Sequence, residues 1–275
     1  MQQHPQGRGP EERWSAATAY EPYVGRWSRL VAQEFVGWLG QPRGLRWLDV
    51  GCGTGALSAA VLALAAPAAL LGIDRSADYV AFARAQLADP RVSFVVADAL
   101  QLPVADSSYD LAVSGLVLNF VSQPAQMLAE MRRAVVPGGT VALYVWDYAQ
   151  GMGLMRAFWD AATALDPEAA NLDEGRRFPL CQPQPLERLF ASAGLEAVTL
   201  RPIEIETRFR DFEDYWSPFL GGQGPAPGYA MSLPAERRAA LRERLRATLP
   251  SAADGSITLT ARAWAVRGSR PASAT

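Results

Sequence analysis

The chain has 275 residues, of which 49% are hydrophobic and 20% charged, with a formal net charge of −2 and a pI near 5.6. That balance belongs to a globular chain able to bury a full core, and it lacks the basic footprint of a nucleic-acid binder. All 26 positively charged residues are Arg, the pattern expected of coding bias in a GC-rich, bacterial genome. Cys52 and Cys181 form neither a metal-ligand spacing nor a disulfide framework, and no apolar run is long enough to span a bilayer. The expectation is a cytoplasmic protein, monomer or homodimer, with a small-molecule ligand, no metal, no nucleic acid and no membrane partner.

Residues 1–13 are polar and rich in Gln, Gly and Pro, which predicts a disordered tail. Residues 14–39 carry helical periodicity through Leu30, Phe35, Trp38 and Leu39, stopped by Gly40-Gln41-Pro42. Strand patterns follow at 45–50, 68–73, 92–97, 111–115 and 140–146, separated by helical stretches at 56–65, 76–87 and 124–134. This alternation predicts a Rossmann-like, doubly wound α/β fold with a mostly parallel sheet covered on both faces. Pro137-Gly138-Gly139 reads as a tight turn into the fifth strand.

Beyond Trp146 the alternation becomes irregular. Helices are predicted at 152–165 and 186–193, the second closed by Gly194, then a sixth strand at 196–206. A charged helix at 235–249 has Pro234 at its first turn. The seventh strand, 256–266, alternates apolar and polar residues and suits a sheet edge. The whole is read as one domain over 14–267. It comprises an N-terminal helical cap (14–40), a ligand-binding core (41–147) and two insertions (148–183 and 207–250), with a second disordered tail at 268–275.

The chemistry is concentrated at the ends of the first strands. Leu48-Asp49-Val50-Gly51-Cys52-Gly53-Thr54-Gly55 marks a strand that turns sharply into a helix, its bare backbone free to approach a ligand. Asp74 ends the next strand, about 20 residues on, where an open α/β sheet places the carboxylate that accepts from two ribose hydroxyls. Asp98 ends the third strand, where a carboxylate can accept from an exocyclic adenine amine while Ala99 and Leu100 wall the ring. A phosphate-binding Walker loop is excluded because the chain has no Lys. A dinucleotide fingerprint fits poorly, since Asp49 would face a pyrophosphate; an acid there suits a ligand with a cationic amino group.

Taken together, residues 48–55, 72–76, 97–103, 109–120 and 136–140 resemble the class I S-adenosylmethionine-dependent methyltransferases. The similarity is to the small-molecule type represented by ubiquinone and menaquinone C-methyltransferases. The resemblance covers roughly residues 40–147, the cofactor half, and implies a seven-stranded sheet whose last strand is antiparallel. It implies that Asp49 and the backbone of Gly51, Cys52, Gly53, Thr54 and Gly55 hold the methionine moiety of S-adenosylmethionine. Asp74, flanked by Arg75 and Ser76, would take the ribose, Asp98 with Ala99 and Leu100 the adenine, and Ser114, Gly115 and Leu116 the methionine side. S-adenosylhomocysteine would be the product. Many relatives carry His after the fourth strand; here the segment is Leu116-Val117-Leu118-Asn119-Phe120, and the one His in the chain is His4. No histidine base is expected, and no catalytic residue is assigned; Asp147, Asp160, Glu213 or a Tyr are open alternatives.

Around this core the cap offers Arg26 to the cofactor's carboxylate, and Tyr20, Tyr23 or Trp27 to the mouth of the site. The insertions carry Trp146, Tyr148, Phe158, Trp159, Tyr215, Trp216 and Phe219, followed by Gly221-Gly222-Gln223-Gly224-Pro225. As a set these predict an apolar substrate cavity, with Asn119, under a lid hinged on glycine. The implied reaction is methyl transfer to an O, N or C nucleophile of a small, fairly apolar metabolite. The alternatives are cyclisation or decarboxylation without methyl transfer, or a non-enzymatic regulatory or scaffold role.

Overall fold

The structure, a computed structural model, describes residues 24–221 and 224–272. Tyr20, Tyr23, Gly222, Gln223, the predicted tail at 1–13 and residues 273–275 of the second predicted tail lie outside the described residues; residues 268–269 of that tail are not disordered but end the last strand, where backbone pairing holds them. In chain order the elements are α1 (Arg26–Leu39), β1 (Arg46–Val50), α2 (Ala56–Leu64), β2 (Ala69–Asp74), α3 (Ala77–Gln86), β3 (Val92–Val96), β4 (Tyr109–Gly115), α4 (Pro124–Ala134) and β5 (Val135–Trp146). They continue as α5 (Gly153–Leu165), α6 (Glu174–Arg177), α7 (Pro183–Ser192), β6 (Glu196–Phe209), α8 (Phe212–Trp216), α9 (Pro225–Ser232), α10 (Ala235–Thr248) and β7 (Ile257–Ser269).

The seven strands form one sheet in the order β3-β2-β1-β4-β5-β7-β6. The first five pair in parallel, and β7 runs antiparallel to both β5 and β6. The order reverses between β1 and β4, and at such a switch point the connections leave the sheet in opposite directions and open a crevice at the carboxyl ends of the strands. β1 reads Arg-Trp-Leu-Asp-Val and is buried after its first residue, as a central strand covered on both faces must be. Ser76 caps α3 by accepting from the Tyr79 backbone N–H at 3.3 Å, and Pro124 opens α4, where a missing N–H costs nothing.

Two boundaries differ from the sequence reading. The predicted turn at Pro137-Gly138-Gly139 lies inside β5, which begins at Val135. Gly138 N–H donates to Arg270 O and Arg270 N–H to Gly139 O, both at 2.9 Å, so the chain beyond β7 continues the pairing past the turn. The last strand is not an edge: β7 sits between β5 and β6, and β6, read as ending at 206 but extending to Phe209, is the edge. Alternation along a strand reports which face is exposed. It carries no information on whether both backbone edges are paired.

The insertions pack a group of aromatic rings that is continuous with the core of this sheet. Phe158 and Phe219 stack with centroids 4.5 Å apart, Tyr215 lies 5.4 Å from Phe219, and Trp159 lies 5.7 Å from Tyr229. The Tyr215 hydroxyl, fully buried in that core, donates to Leu154 O at 2.9 Å and so is satisfied.

Candidate functional site

The glycine turn lies at the switch point. Gly51 N–H and Cys52 N–H both donate to Ile73 O, at 2.7 and 2.9 Å, which pins the turn to the end of β2. Gly51, Gly53 and Gly55 adopt φ of 75°, 52° and 90°. At Gly51 a Cβ would also lie 2.4 Å from a Val117 methyl, so only glycine lets the turn pass under the segment that follows β4.

Asp49 is fully buried immediately before this turn. Ser58 Oγ donates to its Oδ2 at 2.7 Å, and Oδ1 has no hydrogen-bond partner. Burial drives its pKa up to about 7, opposed by the Ser58 hydrogen bond and assisted by the nearby Asp74 charge. A buried carboxylate with an unanswered oxygen, set just before the glycine turn and behind the cavity wall, is stabilised in its charged form by any cation brought close to that turn.

The cavity is open and has a volume of about 300 Å³. Of the sequence-predicted cofactor residues, Gly51, Cys52, Gly53, Thr54, Asp74, Arg75, Ser76, Asp98, Ala99, Leu100, Gly115 and Leu116 line it. Asp74 accepts from Gly53 N–H at 2.9 Å through Oδ2 and from Ser76 N–H at 2.8 Å through Oδ1, which locks its orientation. Each carboxylate oxygen accepts more than one hydrogen bond, so Asp74 keeps capacity for a pair of hydroxyls. Asp98 Oδ1 accepts from Leu100 N–H at 2.9 Å and folds the loop after β3 into a short turn. Leu116 is held at φ 63°, a left-handed conformation unusual for its type, at the edge of the cavity beyond β4.

Other predicted residues are placed differently. Asp49 and Gly55 do not reach the wall: Asp49 turns toward α2, and Gly55 serves as the N-cap of that helix. Ser114 is buried behind the wall, its Oγ donating to Val50 O at 2.7 Å and tying the ends of β4 and β1 together. Arg26 turns away from the cavity. It donates to both Asp214 oxygens, at 3.1 and 3.2 Å, and lies between the rings of Trp27 and Phe209, 4.4 and 4.9 Å from their centroids. The guanidinium therefore fastens the cap to the second insertion, because Asp214 is already positioned there as part of the first turn of α8.

On the acceptor side Trp146 and Tyr148 line the cavity as expected, whereas Trp27, Asn119, Trp159, Trp216 and Phe219 do not. The physical reason is packing. Trp27 sits edge-on to Phe209 at 5.5 Å, and Trp159, Trp216 and Phe219 are consumed by the aromatic core of the insertions. Trp159 Nε1 donates to the buried carboxylate of Glu174. Asn119 does not reach the cavity, and its amide atoms are buried without hydrogen-bond partners.

Several wall residues escaped the sequence reading: Val24 and Ser28 from the cap, Val117, Phe120, Tyr144 and Met155. Tyr144 was accessible in principle, since it stands two residues before Trp146 and shares its face of β5. The proposed proton acceptors lie elsewhere. Asp147 pairs with Arg262 at 2.6 Å, Glu213 with Arg242 and Arg246, and Asp160 is exposed on α5. The Cys52 thiol borders the cavity, but burial, with Asp49 and Asp74 nearby, pushes its pKa up and leaves it unreactive. Among the described residues no group of His, Cys, Asp and Glu could hold a metal, and no helix is long and apolar enough to cross a membrane.

Comparison with known proteins places this arrangement. The methyltransferase-domain family matches residues 48–143, the stretch from the glycine turn through β5. A demethylmenaquinone methyltransferase of Roseiflexus sp. is 31% identical over 171 residues, covering 57% of this chain and 70% of the relative. Among solved structures, a Haemonchus contortus phosphoethanolamine N-methyltransferase in complex with phosphomonomethylethanolamine and S-adenosylhomocysteine superposes with a TM-score of 0.58. It is 16% identical, over 92% of this chain and 56% of that one. The YcgJ protein of Bacillus subtilis matches with a TM-score of 0.56 and 16% identity over 88% and 99% of the two chains. At this identity the two structures speak for the fold.

Proposed function

The chain belongs to the class I S-adenosylmethionine-dependent methyltransferases, and from that premise we propose that it methylates an O, N or C nucleophile of a small, uncharged, fairly apolar metabolite. The observation that carries the acceptor class is the separation of charge in the cavity wall. Its charged side chains, Asp74, Arg75 and Asp98, all lie where β2 and β3 end, whereas Phe120, Tyr144, Trp146, Tyr148 and Met155 surround the β4–β5 side. Four strand spacings, about 19 Å, separate β3 from β5, so one cavity has a charged half and an uncharged half.

The first half suits the adenosine of the donor and the second the acceptor. Bound S-adenosylmethionine supplies a methyl group already activated by its sulfonium charge. The protein's task is then positional. Asp74 and Asp98 fix the sugar and base, the glycine turn lets backbone approach the methionine moiety, and Asp49 answers the amino group's charge from below. The rings of Phe120, Trp146 and Tyr148 exclude water and favour a cationic centre through their faces. Alignment of nucleophile and methyl group by such a site is worth roughly 7–11 kcal/mol of barrier. The Roseiflexus relative is named for demethylmenaquinone, a quinone, which agrees with an uncharged ring on the β5 side.

The test is transfer of labelled methyl to two acceptor sets, neutral phenols and hydroquinones on one side and phosphorylated amino alcohols on the other. Label is expected in the neutral set. Comparable kcat/KM for the phosphorylated set would overturn the acceptor class, and conversion of an acceptor without label would overturn methyl transfer as its reaction.

A further inference from the structure

We propose that Phe178 is a positioning residue for the acceptor: it sets the width of the aromatic corner that Phe120 and Tyr148 present to the cavity, and thereby the size of the ring admitted. The inference rests on the apolar-acceptor reading above and deepens it. Phe120 arrives from the turn after β4 and Tyr148 from the chain after β5, and both line the cavity. Behind them Phe178 touches both rings, edge-on to Phe120 at 5.6 Å and tilted against Tyr148 at 5.4 Å. The exposed Arg177 lies 5.5 Å from the Phe178 centroid.

The support beneath Phe178 is unusually rigid for a loop. α6 is only four residues long, yet two buried acids at its start bind it to α5. Asp173 accepts from both terminal nitrogens of Arg156 and, at 2.8 Å, from Gly175 N–H, while Glu174 accepts from Trp159 Nε1. Burying two carboxylates is expensive unless each is fully engaged, and here both are engaged in holding one short turn. That turn lies directly on the chain carrying Tyr148: a Cβ at Gly175 would be 2.9 Å from Ala149 Cα and 3.0 Å from Tyr148 O. Phe178 N–H then donates to Glu174 O at 2.9 Å, which fixes the ring's departure from α6. Shortening the Phe178 side chain opens a void into which Phe120 and Tyr148 swing, widening the corner without touching the Asp74–Asp98 half.

The experiment titrates the full chain, saturated with S-adenosylhomocysteine, calorimetrically with 2-naphthol and with the wider 9-phenanthrol. The unmodified protein is expected to prefer 2-naphthol. Phe178→Leu and Phe178→Ala are expected to shift the affinity ratio at least tenfold toward 9-phenanthrol, with S-adenosylhomocysteine affinity within twofold. Phe178→Tyr, which keeps the ring, is expected to keep the original ratio. An unchanged ratio in the Leu and Ala variants, with cofactor affinity and cooperative melting retained, overturns the proposal and leaves the apolar-acceptor reading standing. A ratio shift accompanied by a tenfold loss of S-adenosylhomocysteine affinity also overturns it, because the change is then global. Failure of the unmodified protein to bind 2-naphthol overturns the acceptor reading and this inference with it.

Discussion

Asp49 and Asp74 are two carboxylates a short distance apart in the fold with opposite duties. Asp74 is locked by two backbone N–H groups, one on each oxygen, and stays available to hydroxyls, so Asp74→Asn removes the charged acceptor and also leaves one of those two N–H groups facing an amide NH2 that cannot accept. One hydrogen bond to a charged group is worth about 1.5–3 kcal/mol, so S-adenosylmethionine affinity should fall at least about 10- to 100-fold by titration calorimetry, together with a lowered melting temperature from the lost turn hydrogen bond. Asp49 is held near a pKa of about 7 by burial, against the Ser58 hydrogen bond. A ligand ammonium placed near it favours the ionised form, so cofactor binding should expel a proton. Calorimetry at pH 6 in buffers of different ionisation enthalpy should therefore report proton release that fades by pH 9. In Asp49→Asn this release should vanish; its persistence would place the titrating group elsewhere.

The elements show where pattern and packing part ways. Parallel strands and their helices were legible because each carries its own period and its own stop signals: Gly40 in the left-handed conformation ends α1, and Ser76 opens α3. Arg26 and the insertion aromatics were not legible in this way, because a residue type names a capacity and not a partner. Arg26 found Asp214, 188 positions away. Arg26→Ala should accordingly lower the melting temperature by about 2–4 °C, as expected for the loss of about 1 kcal/mol, and leave S-adenosylhomocysteine affinity unchanged. A large loss of cofactor affinity would return Arg26 to the cofactor's carboxylate. Phe158, fully buried and stacked on Phe219, belongs to the insertion core. Phe158→Ala should cost about 3–5 kcal/mol, read as a lowered denaturation midpoint, with cofactor binding retained wherever the variant is folded.

At the scale of the whole molecule, two sets of acids pull stability in opposite directions with pH. Asp49 and Glu174 are buried and their pKa values are raised to about 7 each, so the folded state binds their protons more tightly than the unfolded chain does. Their contribution is complete below about pH 4 and is lost as pH rises through about 7. Asp110, Glu130 and Asp214 are held low, chiefly by hydrogen bonds and charge from Arg46, Arg133, Arg210 and Arg26 set against partial burial. Their contribution is present above the usual carboxylate range and is lost as pH falls through their depressed values. The ligand-free protein should therefore melt highest in mildly acid solution, and its melting temperature should fall by roughly several degrees from pH 5.5 to 8.5. Saturating S-adenosylmethionine should narrow that fall, because its cation compensates Asp49 and ligand at 100 times Kd adds about 2.7 kcal/mol. A melting temperature that rises steadily to pH 8.5 without ligand would contradict the buried-acid account.

The sequence by itself determined what is local and periodic: the strand–helix alternation, the glycine turn between Asp49 and α2, and the acids Asp74 and Asp98 at successive strand ends. Sheet topology carries strand ends to one crevice, so those residues pointed to a donor site without any coordinates. Only the tertiary structure decided that β7 lies inside the sheet and that Arg26 serves Asp214. It also decided that Trp159, Trp216 and Phe219 are core while Phe120, Tyr144 and Met155 face the cavity. Those outcomes depend on which surfaces meet across long stretches of chain, and aromatic packing and ion pairing are non-directional enough in sequence that several partners satisfy the same residue. Backbone geometry writes itself locally; the choice among side-chain partners is made only when the chain closes on itself.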